Sequence, residues 1–238
     1  MNIIDLFKHC SVVDISPLKK MHEDLLFLNN AVNLVIGESK SGKTYTVIKS
    51  LVDVGFKDKI VHVDFDRNGD ETLSQLDVET YHIRDANEFI TSLKYLKDEK
   101  LFDISDSFRD KIFVIDSLQD LSTEDGIDSN KGALSAMHNV FSLAYTGATI
   151  VLIHHTTIDM NGKAKVKGNA SVITSKCDTT ILFEKISVDK RAMTVLSTRA
   201  EDKIPSGKRI EYTSSGNQNF NQQMTSNPKR QNSRVPSK

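Results

Sequence analysis

Gly37-Glu38-Ser39-Lys40-Ser41-Gly42-Lys43-Thr44 matches the phosphate-loop pattern G-x-x-x-x-G-K-[ST] at every constrained position. Each residue type has a chemical task there. Gly37 and Gly42 are expected to permit positive-φ turns that aim consecutive N–H groups inward, and a helix starting at Lys43 adds its N-terminal partial charge. The result is an anion cradle for the α and β phosphates of a nucleoside triphosphate, read as ATP. Lys43 would reach the β and γ phosphates. Thr44 would offer its hydroxyl to Mg²⁺, a cation that keeps several waters and takes few protein ligands. A second group lies at Lys111 to Asp116 (Lys-Ile-Phe-Val-Ile-Asp), an apolar run ended by a carboxylate able to hold a metal-bound water.

These groups need a strand, a turn and a helix to present them, and the flanking residues supply all three. Ala31 to Ile36 has the composition of a buried strand, and Lys43 to Val54 repeats apolar residues at helical spacing. Downstream, strands are expected at Lys59 to Asp64, Glu79 to Ile83, Lys111 to Asp116 and Ala148 to His154. Helices are expected at about Asn87 to Lys97 and Asn130 to Tyr145. Alternation of this kind implies an α/β fold with a mostly parallel sheet, helices on both faces, and ligands at the carboxyl ends of the strands. From Asp178 the pattern changes to three short strands, Thr179 to Glu184, Met193 to Thr198 and Lys208 to Tyr212, an antiparallel carboxyl-terminal extension. Residues 1–30 read as a helical or irregular lead-in, with Leu25 to Leu28 docking on the sheet.

Composition narrows the class. A chain of 238 residues, 38% hydrophobic and 26% charged, suits one domain of ordinary core size. No run approaches a membrane span and the amino terminus has no signal-peptide order, so a cytoplasmic location is expected. Cys10 and Cys177 are too few for a disulfide scaffold or a zinc cluster. The net charge of −1 is unevenly placed: residues 214–238 carry four basic residues and no acidic one, leaving −5 on residues 1–213. That Asn-, Gln- and Ser-rich tail cannot bury enough surface to offset the entropy of ordering, and it reads as a disordered arm. The domain is therefore set at 1–213.

Two candidate strands lie between the phosphate loop and the acid-tipped strand, leaving room for one of them to be inserted between the two in the sheet. On that arrangement and these motifs the chain resembles RecA-like P-loop ATPases, closest to the RepA-type and DnaB-type hexameric replicative helicases of phages and plasmids. The resemblance spans about residues 1–213. It implies a catalytic carboxylate just past the strand after the first helix, where Asp64-Phe65-Asp66 stands with Asp66 in the best register. The family usually has Glu there, one methylene longer. It implies a γ-phosphate sensor in the paired His154 and His155. The loop Thr156 to Ala170 becomes a channel loop gripping nucleic acid.

That loop carries Lys163, Lys165 and Lys167, whose spacing of two places all three on one side of an extended segment, facing the phosphates of single-stranded DNA. A second candidate channel loop, Ser122 to Gly132, is acidic apart from Lys131. The resemblance further implies that Arg199 is a finger reaching a neighbour's nucleotide, with Ser197 where the family carries lysine, and that the chain is a homo-oligomer, a hexamer. The expected activity is ATP hydrolysis coupled to translocation on single-stranded DNA in replication. Two alternatives stand beside it: a minimal recombinase or annealing protein on the same fold, and a non-hydrolysing nucleotide switch such as a helicase loader.

Overall fold

A computed structural model of the chain describes residues 18–65, 71–98, 108–122, 125–158 and 164–213. Asp66, Lys163 and the tail 214–238 lie outside the described residues. The first described element is a two-stranded antiparallel ribbon, β1 (Lys19–Lys20) and β2 (Leu28–Asn29). Next come β3 (Val32–Gly37), α1 (Lys43–Asp53), β4 (Ile60–Asp64), α2 (Glu71–Ser74), β5 (Glu79–His82) and α3 (Ala86–Asp98). Then follow β6 (Ile112–Asp116), α4 (Asn130–Ala144), β7 (Thr149–Ile158), β8 (Ala164–Val166), α5 (Ala170–Lys176), β9 (Thr179–Lys185), β10 (Lys190–Thr198) and β11 (Arg209–Thr213). A 3₁₀ turn, Leu118–Leu121, follows β6.

The large sheet runs β11-β10-β9-β3-β7-β6-β4-β5, with β8 paired to β7. From β9 to β5 every pairing along this path is parallel, while β9-β10-β11 and β7-β8 are antiparallel. The strand inserted between β3 and β6 is β7, which follows the acid-tipped strand in sequence, and not one of the two that precede it. Burial explains the correction. β7 is buried from Thr149 through His154, as a central parallel strand with both faces covered must be. β5 (Glu-Thr-Tyr-His) is half-buried or exposed at every position, which suits only the edge. The antiparallel extension is present as expected, and β9 joins it to the rest: it is antiparallel to β10 but parallel to β3, a strand that belongs to both parts.

Strand alternation divides the core in two. Leu34, Ile36, Ile150, Leu152 and Ile115 pack on one face with Ala133, Met137 and Val140 of α4. Val35, Val114, Val151 and Ile153 pack on the other with Val47, Ile48 and Leu51 of α1. Leu25, Leu26, Phe27 and Leu28 are fully buried in the α1-side core, each adding about 1.5–3 kcal/mol over exposure. Their backbone is tied down by Asn33, buried in β3, whose amide donates to the carbonyls of Leu28 (2.9 Å) and Ile150 (3.2 Å) while its Oδ1 accepts from Leu28 N (2.8 Å). Within the described part of the lead-in, Leu25 to Leu28 dock on the sheet as expected, in irregular backbone closed by the short β1–β2 ribbon. Among the described residues no helix is long and apolar enough to cross a membrane.

Candidate functional site

The loop from Gly37 to Thr44 joins the carboxyl end of β3 to α1, and its two glycines serve different ends. Gly42 caps α1 at φ 87°, ψ 21°, the left-handed region that glycine adopts without strain. Lys40, at φ 58°, shares that region. Gly37 stays in the strand and has no positive φ, contrary to expectation. What it needs is space: a Cβ there would stand 2.7 Å from the Phe183 carbonyl oxygen of β9 and 3.1 Å from Lys43 Cδ. Ser41 Oγ donates to the Glu38 carbonyl (2.7 Å), closing the loop, while Glu38, Ser39 and Lys40 lie exposed on its rim.

Lys43 is 4% exposed, and its Nζ donates to the carbonyls of Gly37 (3.0 Å) and Glu38 (2.6 Å). An ammonium held over the loop by carbonyl oxygens is placed where phosphate oxygens would take over as acceptors. Thr44 Oγ1 donates to Asp116 Oδ2 at 2.5 Å, so the two expected metal-side groups meet. Magnesium fits this donor set: a hydroxyl and a carboxylate side by side leave the remaining positions to waters and phosphate oxygens. The Asp116–Ser117 peptide is cis.

Asp64 stands in register with Asp116 on the adjacent strand, and strand alternation places both on the face that α1 covers. It is 3% exposed and accepts a hydrogen bond from His82 Nδ1 of β5 (2.9 Å). Its position two residues before Asp66 was legible in sequence; its pairing with the histidine was not, because β5 and β4 meet only in the sheet.

The paired histidines divide. His155 lies in register with Gly37 and shares the α1-side face with Val151 and Ile153. His154, fully buried, points to the opposite face and donates from Nε2 to the Lys167 carbonyl (2.9 Å). Its Nδ1 is buried without a hydrogen-bond partner, so in the neutral ring that nitrogen is the bare acceptor and offers no proton to a phosphate. Burial lowers its pKa from 6.5 to about 4. His62, in the middle of β4, is likewise lowered to about 4 by burial.

The expected loop 156–170 is shorter than its sequence suggests. β7 runs on to Ile158 and β8 returns against it, pairing Thr157 with Lys165 and Thr156 with Val166. Val166 faces the core and Lys165 is exposed. Lys167 is not presented freely, since its Nζ donates to Gln119 Oε1 (2.7 Å) just past β6. Lys131, in the first turn of α4, is 82% exposed and pairs with Asp125 (2.9 Å).

Arg199 is placed far from its own phosphate loop. It follows β10 at the amino edge of β3: its N–H donates to Asp178 O (2.8 Å), and Asp178 Oδ2 accepts from Val32 N (2.9 Å). Its guanidinium pairs with Asp178 (3.4 Å) and donates to Ser175 O (2.7 Å). Gly37 lies at the other end of β3, roughly 17 Å along the strand. The guanidinium beside the loop is Arg191, which the sequence reading missed. Its Nε would be 3.6 Å from a Cβ on Gly42, and its Nη1 donates to the carbonyls of Ser187 (2.7 Å) and Val188 (2.9 Å). Between α1 and the start of the β10–β11 pair lies a cavity of about 90 Å³ lined by Gly42, Tyr45, Lys49, Arg191 and Tyr212 among others. β10 begins three residues before the expected Met193, and those residues carry Arg191 to the phosphate loop.

No family model and no curated protein sequence matches this chain. Among solved structures it is similar to the RadB recombinase, with a TM-score of 0.54 and 14% sequence identity over 79% of this chain and 88% of that one. At that identity the likeness carries the fold alone, and the chain has the RecA-like α/β fold that it shares with that protein.

Proposed function

We propose that the chain is an ATPase of the RecA-like kind that binds Mg·ATP at Gly37–Thr44 and Asp116 and acts on single-stranded DNA as a homo-oligomer. The observation that carries this reading is the meeting of Thr44 and Asp116 beside a buried Lys43 at the carboxyl edge of a parallel sheet. Lys43 exchanges the carbonyls of Gly37 and Glu38 for phosphate oxygens, and its charge offsets theirs. Thr44 and Asp116 hold the metal, which when bound supplies charge neutralisation at the β and γ phosphates. Asp66 polarises the attacking water, two residues past Asp64, the last residue of β4. His155 reads the occupied site on the α1 side. The cavity beyond Gly42 takes the nucleoside part, against Tyr45 and Arg191. Lys165 and Lys163 contact the DNA backbone, and Arg199 completes the site of an adjoining copy.

The recombinase or annealing role is the first reading of what the ATPase does with DNA, supported by the fold likeness to the RadB recombinase. Ring helicase action is the second, supported by His155 in register with Gly37 and by the lysine loop of the sequence. A forked substrate separates them. Pairing of complementary strands without displacement, on helical filaments in negative-stain images, supports the first; ATP-driven displacement by closed rings supports the second. Stable Mg·ATP binding with no DNA-stimulated hydrolysis, unchanged by Asp66→Ala, would leave only a nucleotide switch.

A further inference from the structure

Lys167 is held at three of its atoms. Its backbone N–H donates to the His155 carbonyl (3.1 Å), its own carbonyl accepts from His154 Nε2 (2.9 Å), and its Nζ donates to Gln119 Oε1 (2.7 Å). The first two bonds pin its backbone to His154 and His155 within β7, beside the strand that carries Gly37. The third reaches a residue three positions beyond Asp116. Gln119 sits on the turn Leu118–Leu121, whose two leucines are fully buried, so the amide is carried on a fixed piece of backbone. Ser117 Oγ, bonded to Asp120 Oδ2 (2.8 Å), braces the same turn.

Three segments therefore converge on one residue: the histidine pair at the phosphate-loop edge and the return strand of the basic hairpin through its backbone, and the turn that follows the metal-side carboxylate through its side chain. Lys165, two residues earlier on that strand, is exposed, whereas Lys167 is engaged on the chain itself. A lysine whose backbone is fixed on both sides and whose ammonium is committed to an amide is badly placed to follow a mobile DNA phosphate. It is well placed to transmit a small shift of the hairpin to the turn beside Asp116.

We propose that Lys167 is a positioning residue and not a DNA ligand: it clamps the basic hairpin to the turn after Asp116, so that DNA seated on the hairpin sets the geometry of the metal side of the nucleotide site. This rests on the ATPase reading above. The turn shifts when the hairpin shifts, and Asp116, at its head, moves with it.

The test compares Lys167→Met, Lys167→Arg, Gln119→Leu and Lys165→Met in the full chain. ATP turnover is measured with and without a single-stranded oligonucleotide, alongside the salt dependence of oligonucleotide affinity. Lys167→Met is expected to lose DNA stimulation by roughly three- to thirty-fold, with DNA-free turnover, KM for ATP and the salt slope unchanged. Gln119→Leu should reproduce it, the double variant should be no worse than either, and Lys167→Arg should regain stimulation because a guanidinium also donates to Gln119. Lys165→Met should instead flatten the slope by about 0.7.

Retained stimulation in Lys167→Met, a slope lowered as in Lys165→Met, or additive losses in the double variant would overturn the clamp. Should Lys167→Met fail to fold, as loss of ATP binding would reveal, Lys167→Arg and Gln119→Leu decide the matter by the same criteria. A parent chain that turns over no ATP removes the ATPase reading and the clamp together; the other failures remove the clamp alone.

Discussion

Thr44 and Asp116, 72 residues apart in sequence, share a hydrogen bond of 2.5 Å between Oγ1 and Oδ2. The contact exists because β7 separates β3 from β6 and α1 crosses that face of the sheet, laying its first turn against the end of β6. A hydroxyl at the head of a helix and a carboxylate at the end of a strand thus come to one point, next in sequence to Lys43, whose ammonium is held by the loop carbonyls of Gly37 and Glu38.

Removing that ammonium should cost most. Lys43→Ala is expected to lower kcat for ATP by roughly a hundredfold or more, about 3 kcal/mol of transition-state stabilisation. Steady-state phosphate release checks this, and turnover close to that of the parent would remove Lys43 from the site.

Gly37 should tolerate no side chain. The Cβ of Gly37→Ala would meet the Phe183 carbonyl at 2.7 Å, a backbone group that cannot swing aside, and forcing β3 and β9 apart is expected to cost about 1–3 kcal/mol. Urea unfolding of the variant against the parent measures it. An unchanged midpoint would mean that the two strands part easily.

Acid should destabilise the fold through its buried histidines. The pKa values of His62 and His154 are lowered by burial from 6.5 to about 4, so between these values the unfolded chain binds protons that the folded chain refuses. Their contribution is therefore complete above pH 6.5 and lost as the pH falls towards 4, about 2 kcal/mol for each at pH 5. Urea midpoints at pH 7 and pH 5 report the drop, and His154→Gln should shrink it by one histidine's share. Equal drops in parent and variant would contradict the assignment.

Arg199 gives the clearest test of assembly. Its side chain lies at the edge of β3 remote from Gly37, so any role in hydrolysis has to be exerted on another copy. Arg199→Ala is expected to lose turnover by roughly a thousandfold and to regain part of it when mixed with Lys43→Ala, each copy supplying what the other lacks. Mixtures as inactive as either variant alone would leave Arg199 as the partner of Asp178 and nothing more.

What could be read along the chain was local. The octet from Gly37 to Thr44 specifies its own loop, because glycine conformation, helix start and ammonium reach all fall within eight residues. The apolar run ending in Asp116 and the helical spacing of α1 and α4 were legible for the same reason: periodicity is a property of neighbours.

The rest depended on which strands lie side by side. Strand order placed β7 between β3 and β6, set His155 beside Gly37, and gave Asp64 a partner in His82. An antiparallel return brought Arg191 to the phosphate loop and carried Arg199 away from it. Three lysines of equal spacing looked equivalent in sequence, yet a backbone bond to His155 on β7 and a side-chain bond to Gln119 past β6 fixed Lys167 while Lys165 stayed exposed. Hydrogen bonding between distant segments assigned these side chains their surroundings, and no window of consecutive residues contains that information.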